Sequence, residues 1–141
     1  MLNYVFILVS ALVLPVANAS AGELLEVRAT SQANIYVDRE TLQVSGGRAS
    51  VWSVWNFKAP KNNSFDEVYR SVLIKNEYDC KRRTVRVVEV EEFAAPMAQG
   101  DALRTYSDYE HRQDALPPGS VGESIFQIAC PDISARKAQF F

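Results

Sequence analysis

Two cysteines, Cys80 and Cys130, carry the most definite chemistry in this 141-residue chain. A small, even number of cysteines in an exported protein reads as a structural disulfide. A metal site would need further Cys or His ligands, and His111 is the single histidine. A Cys80–Cys130 bridge is therefore expected, with no metal and no cofactor. In the chain-entropy model such a closure stabilises by about 4 kcal/mol.

Catalysis finds little else to work with. His111 sits among Tyr109, Glu110 and Arg112, where no nucleophile or orienting partner can be argued, and reads as a solvated loop residue. Glu89, Glu91 and Glu92 offer the carboxylates of a paired acid–base site. Strand alternation, however, places Glu89 and Glu91 together on an outer, solvated face. Ser45-Gly46-Gly47 lacks the lysine and hydroxyl of a phosphate-binding loop. The chain is expected not to be an enzyme.

Binding is better represented. Lys81, Arg82, Arg83 and Arg86 lie close together and suit sulfated glycans or an acidic protein surface. The reading favoured over it is a solvated turn in which Arg86 pairs with Glu77, since surface ion pairs and scattered charge are ordinary. Trp52, Trp55 and Phe57 either line a groove or fill the interior, and a central strand favours the interior. The net charge of −2 supplies no global field for nucleic acid or anionic lipid.

These residues need elements to position them. Every charged side chain lies at Glu23 or later. Val5 to Leu14 is apolar but for Ser10, and Ala17-Asn18-Ala19 and Ala19-Ser20-Ala21 follow Pro15. This reads as a signal peptide over 1–21, too short in its apolar run to span a membrane. No cysteine near the cleavage point can take a lipid anchor. The expected organisation is one domain over 22–131 and a tail over 132–141.

Ile35–Val37 and Leu42–Val44 predict two short strands separated by the polar turn Asp38-Arg39-Glu40. Ser45-Gly46-Gly47 predicts a second turn. Ala49 to Phe57 carries apolar groups on both faces and predicts a central strand covered on both sides. Pro60 and Asn62-Asn63-Ser64 mark an exposed loop. Val68 to Cys80 alternates, with Val68, Val72, Ile74 and Tyr78 on one face.

Thr84 to Phe93 alternates too, but its phase slips between Val87 and Val88. A β-bulge there is the economical repair. If the chain turns through Cys80-Lys81-Arg82-Arg83, Tyr78 faces Val85 and Glu77 faces Arg86. Past the bulge, Lys75 faces Glu89 and Ile74 faces Val90. Leu103 to Tyr109 predicts a further strand, and Ser107 to Asp114 an exposed polar stretch. Ser120 and Glu123 form a capping box. Val121, Ile125, Ile128 and Ala129 follow at helical spacing, so an amphipathic helix ends at Cys130 before Pro131.

One ordered set of residues resembles a known family. It runs through Tyr36-Val37-Asp38, Val51-Trp52, Phe57-Lys58-Ala59-Pro60, Tyr69-Arg70-Ser71 and Asp79-Cys80 to the basic stretch with Arg83. Phe93, Pro96-Met97, Gly100, Pro118-Gly119-Ser120 and Cys130 complete it. The chain resembles the surface-adhesin protein E family of Gram-negative envelope proteins, from about Asn34 to Cys130. The resemblance implies an α+β, mainly β fold. It consists of an antiparallel sheet of about six strands with one C-terminal helix packed on it and one disulfide. It also implies an envelope protein that binds host extracellular-matrix proteins and forms a homodimer. The alternative is a periplasmic binding or inhibitory module. The chain departs from the family in lacking the lipid-anchor cysteine. It also lacks a Trp before Pro-Gly-Ser, where Arg112 to Leu116 stands.

Overall fold

The computed structural model describes residues 22–107 and 112–131. The signal peptide, the His111 loop and the C-terminal tail read from the sequence lie outside the described residues.

Seven antiparallel strands form one sheet: β1 (Leu24–Ala29), β2 (Ala33–Ser45), β3 (Arg48–Asn62), β4 (Val68–Asp79), β5 (Thr84–Phe93), β6 (Arg104–Ser107) and β7 (Asp114–Ala115). The first six follow one another in space as in sequence, and β7 also pairs with β5. A single helix, α1 (Val121–Ala129), closes the described chain. The mainly β architecture, the one helix and the disulfide are as expected.

The β4–β5 register is the one the charge pattern predicts. Tyr78 faces Val85, Glu77 faces Arg86, Lys75 faces Glu89 and Ile74 faces Val90. Asn76 pairs with Val87, so Val88 is the extra residue of the bulge. Each matched pair adds a few tenths of a kcal/mol up to about 1 kcal/mol.

Three expectations need correction. The two short strands at 35–37 and 42–44 are one strand, β2, with its pairing to β3 interrupted between Asp38 and Gln43. Local bonds absorb the break: Asp38 Oδ1 accepts from the Glu40 amide, and the Thr41 hydroxyl donates to the Asp38 carbonyl. Pro60 belongs to β3 rather than to a loop, at a second irregularity between Asn56 and Lys61. A proline needs no ladder donor at such a place. The stretch after Ser107 contributes β7, whose two residues are too short for any periodic signal. Leu24–Ala29 forms the edge strand β1.

The β2–β3 turn joins Ser45 to Arg48 through Gly46 and Gly47, with φ values of 60° and 76°. Two successive positive φ values define the tight hairpin turn matched to strand twist, and glycine adopts them without a Cβ clash.

α1 starts at Ser120, whose hydroxyl accepts from the Glu123 amide at 3.1 Å. Glu123 reaches back one residue further than the expected box, accepting from the Gly119 amide at 2.7 Å. The Ser120 amide is already engaged by the Pro117 carbonyl. The helix buries Ile125, Phe126 and Ala129 against Ile35, Val37, Val51 and Tyr78. Removing those apolar groups from water is the main stabilising contribution. The Cys80–Cys130 disulfide, with Cα atoms 5.6 Å apart, holds the helix end to the β4–β5 turn. α1 packs chiefly on β1, β2 and β3. The β4–β5 half of the same face is therefore left partly open, and Ile74, Val87 and Val90 stay half-buried there.

Candidate functional site

The basic residues read from the sequence do not form one patch. Arg83 turns inward: its guanidinium donates to Glu123 at 3.1 Å and lies 4.7 Å from the Phe126 ring centre. Arg86 donates to Glu77 at 3.0 Å, and Arg48 from β3 donates to the same Glu77 oxygen at 2.8 Å. Arg82 stays 78% exposed in its side chain, against 31% for Arg83 and 30% for Arg86. Lys81 is exposed, and among the described residues nothing pairs with its ammonium. Two of the four cations are thus committed within the fold, and Lys81 and Arg82 project from the tip.

Asp79 fixes how they project. Its Oδ1 accepts from the Arg82 amide at 2.9 Å and the Lys81 amide at 3.1 Å. The Arg82 amide, working against burial and helped by the Lys81 amide and nearby arginines, holds the Asp79 carboxyl below its usual range. The turn also lies beside the β2–β3 turn: the Cys80 amide donates to the Gly47 carbonyl at 3.0 Å. Between them is a cleft of about 530 Å³ bordered by Arg48, Asp79, Lys81 and Arg82.

Trp55 and Phe57 pack against the core on the helix side. Trp52 points to the other face, half-buried, with the Lys75 ammonium 5.8 Å from its ring centre. The expectation of a strand covered on both sides holds in part. The turn at Pro96–Ala98 covers the second face near Asn56 and Ser71: the Met97 amide donates to Asn56 Oδ1 and the Ala98 amide to Ser71 Oγ.

The acidic run divides. Glu91 lies near Glu89 and is only half-buried; burial first, then the Glu89 carboxyl, pushes its pKa up. Glu92 points the other way and is only 8% exposed. Asn63 Nδ2 donates to it at 2.8 Å, and the Tyr106 hydroxyl also bonds to it. Burial and then the Glu92 charge push the Tyr69 phenol up. Beside Glu92, a groove of about 370 Å³ runs over Ile74, Val87 and Val90, with Asn63 and Tyr106 on its border. No local pattern signals this grouping. Asn63 and Tyr106 are far from Glu92 along the chain, and only the sheet brings them together.

Among the described residues no group of His, Cys, Asp or Glu is arranged to hold a metal ion. None of the described helices is long and apolar enough to cross a membrane.

A meandering antiparallel sheet with a disulfide-tied C-terminal helix on one face, bearing exposed turns and a shallow groove, defines a class of small β-rich domains. The chain belongs to the surface-adhesin protein E family, whose model matches residues 24–131. Its fold is similar to crystal form II of Haemophilus influenzae protein E, with a TM-score of 0.56 and 17% identity, over 77% of this chain and 94% of that one. It is similar also to protein E from non-typeable Haemophilus influenzae, with a TM-score of 0.56 and 17% identity, over 87% of this chain and 84% of that one. No curated protein matches the chain.

Proposed function

We propose that the protein is an exported, non-enzymatic adhesin that binds host extracellular-matrix proteins, with Lys81 and Arg82 as contact residues. The observation that carries this reading is the family match over 24–131. The geometry of the β4–β5 tip supports the choice of residues. Asp79 presents two cations on an ordered backbone, so less conformational freedom is lost on binding. Edge strands β1 and β6 offer ladder groups through which a second copy could pair into a homodimer.

The test is solid-phase binding of the mature protein to immobilised basement-membrane matrix, together with protease shaving of intact cells. Matrix binding that falls when Lys81 and Arg82 are both changed to Ala supports the reading. Binding that persists unchanged removes the tip from it. The alternative reading is a periplasmic binding or inhibitory module. In that case the protein survives shaving of intact cells and is digested only after the outer membrane is opened.

A further inference from the structure

We propose that the groove over β4 and β5 receives a lysine side chain of a partner protein. The methylenes would lie on Ile74, Val87 and Val90, with the ammonium at Glu92. This concerns a different surface from the matrix-binding tip and stands whether or not that tip binds matrix.

The groove has the make-up of a binding site. Its volume of about 370 Å³ lies in the range of ligand pockets, which are largely apolar with a few convergent polar groups. Its apolar floor exists because α1 covers the other half of the sheet face. At one end stands Glu92, 92% buried. A buried carboxylate is costly without a cation or several donors. Asn63 and Tyr106 supply donors, yet no ion pair among the described residues includes Glu92. The nearby Arg104 is instead bound to Glu67 through two contacts, at 2.7 and 3.3 Å. Glu67, Arg104 and Glu92 together leave one negative charge. A carboxylate offers about four acceptor positions, so Glu92 keeps capacity for an incoming donor.

The cation fits an ammonium better than a guanidinium. Glu92 Oε2 already accepts from Asn63, which interferes with the two parallel bonds a guanidinium fork prefers. A compact charge with rotatable donors has no such requirement. The apolar floor suits a four-carbon stem, as lysine buries its methylenes while its head finds polar partners. The surroundings favour a protein as the carrier. On the same loop as Asn63, Phe65 is 54% exposed with the Arg104 guanidinium 4.0 Å from its ring centre, and Val68 at the start of β4 is 51% exposed. These residues extend apolar surface past the groove, beyond the reach of a free small amine.

The experiment is an NMR titration of the folded, disulfide-bonded protein with three probes. They are a blocked Gly-Lys-Gly peptide, the same peptide with norleucine for lysine, and free n-butylamine. The lysine peptide is expected to shift Ile74, Val87, Val90 and Tyr106. The norleucine peptide should bind roughly tenfold more weakly, the worth of one charge-assisted hydrogen bond. Glu92→Gln should abolish that difference. Should Glu92→Gln fail to fold, Val87→Trp, which fills the groove, should remove the shifts. Equal binding of both peptides, shifts confined to other surfaces, or none up to the solubility limit overturns the proposal. Butylamine binding as tightly as the lysine peptide overturns the assignment to a protein partner.

Discussion

The Arg83 guanidinium donates to Glu123 at 3.1 Å and so joins the β4–β5 turn to the first turn of α1. It also lies over the ring of the fully buried Phe126. Arg83→Ala is therefore expected to destabilise by about 1–2 kcal/mol, combining a partly exposed ion pair with a cation–π contact. Urea unfolding should show this loss with matrix binding unchanged. The Lys81→Ala/Arg82→Ala variant should show the reverse, full stability with weakened binding.

The disulfide adds a second tie between the same two elements. Replacing Cys80 and Cys130 together by Ser should cost about 4 kcal/mol if restriction of the unfolded chain dominates. The midpoint of chemical unfolding reads this directly. Mass spectrometry of native material should find the bridge intact, and two free thiols there would remove the premise of an oxidising compartment.

At the helix start, Ser120 and Glu123 have unequal duties. Ser120→Ala loses one cap acceptor and should cost about 1 kcal/mol. Glu123→Ala loses the bond from the Gly119 amide and the pair with Arg83 at once. It should therefore be the more damaging change in the same unfolding assay. Equal losses would mean that the Arg83 contact adds nothing.

Two carboxyls should bend the pH profile in opposite directions. Burial, reinforced by Glu89, raises the Glu91 pKa above 4.5 in the folded protein. Its contribution to stability is complete below 4.5 and is lost as pH rises through the raised value. Glu91→Gln should thus be more stable than the parent at neutral pH, with the gap closing in acid. Asp79 is held below 3.8, first by the Arg82 amide. Its contribution is complete above 3.8 and is lost as pH falls through the lowered value, so Asp79→Ala should flatten the acid limb. Thermal melts across pH would read both, and parallel profiles for parent and variants would contradict the assignment.

The β4–β5 hairpin was legible because two kinds of side chain agree on one register. Glu77 with Arg86 and Tyr78 with Val85 select the same alignment, and the phase slip at Val88 locates the bulge. The helix was legible from Ser120, its apolar spacing and Pro131. Less could be read where tertiary context decides. Asp38-Arg39-Glu40 has the composition of a turn, yet local bonds from Asp38 carry the strand past it. Arg83 looks like a surface cation until Glu123 arrives from forty residues along the chain. The groove required knowing which half of the sheet the helix leaves bare, and no local pattern encodes that.

Val88 is surplus to the pairing of β4 with β5. Take it away in thought, and each residue on either side keeps the partner it has. What the additional valine contributes is curvature, since such an insertion bends its strand and sharpens the local twist. The residues that bind β6 begin immediately after it, at Glu89. Tyr106, which pairs with Val90 just beyond that insertion, therefore meets the apolar floor on the far side of a backbone irregularity, a feature of chain length and not of any one functional group.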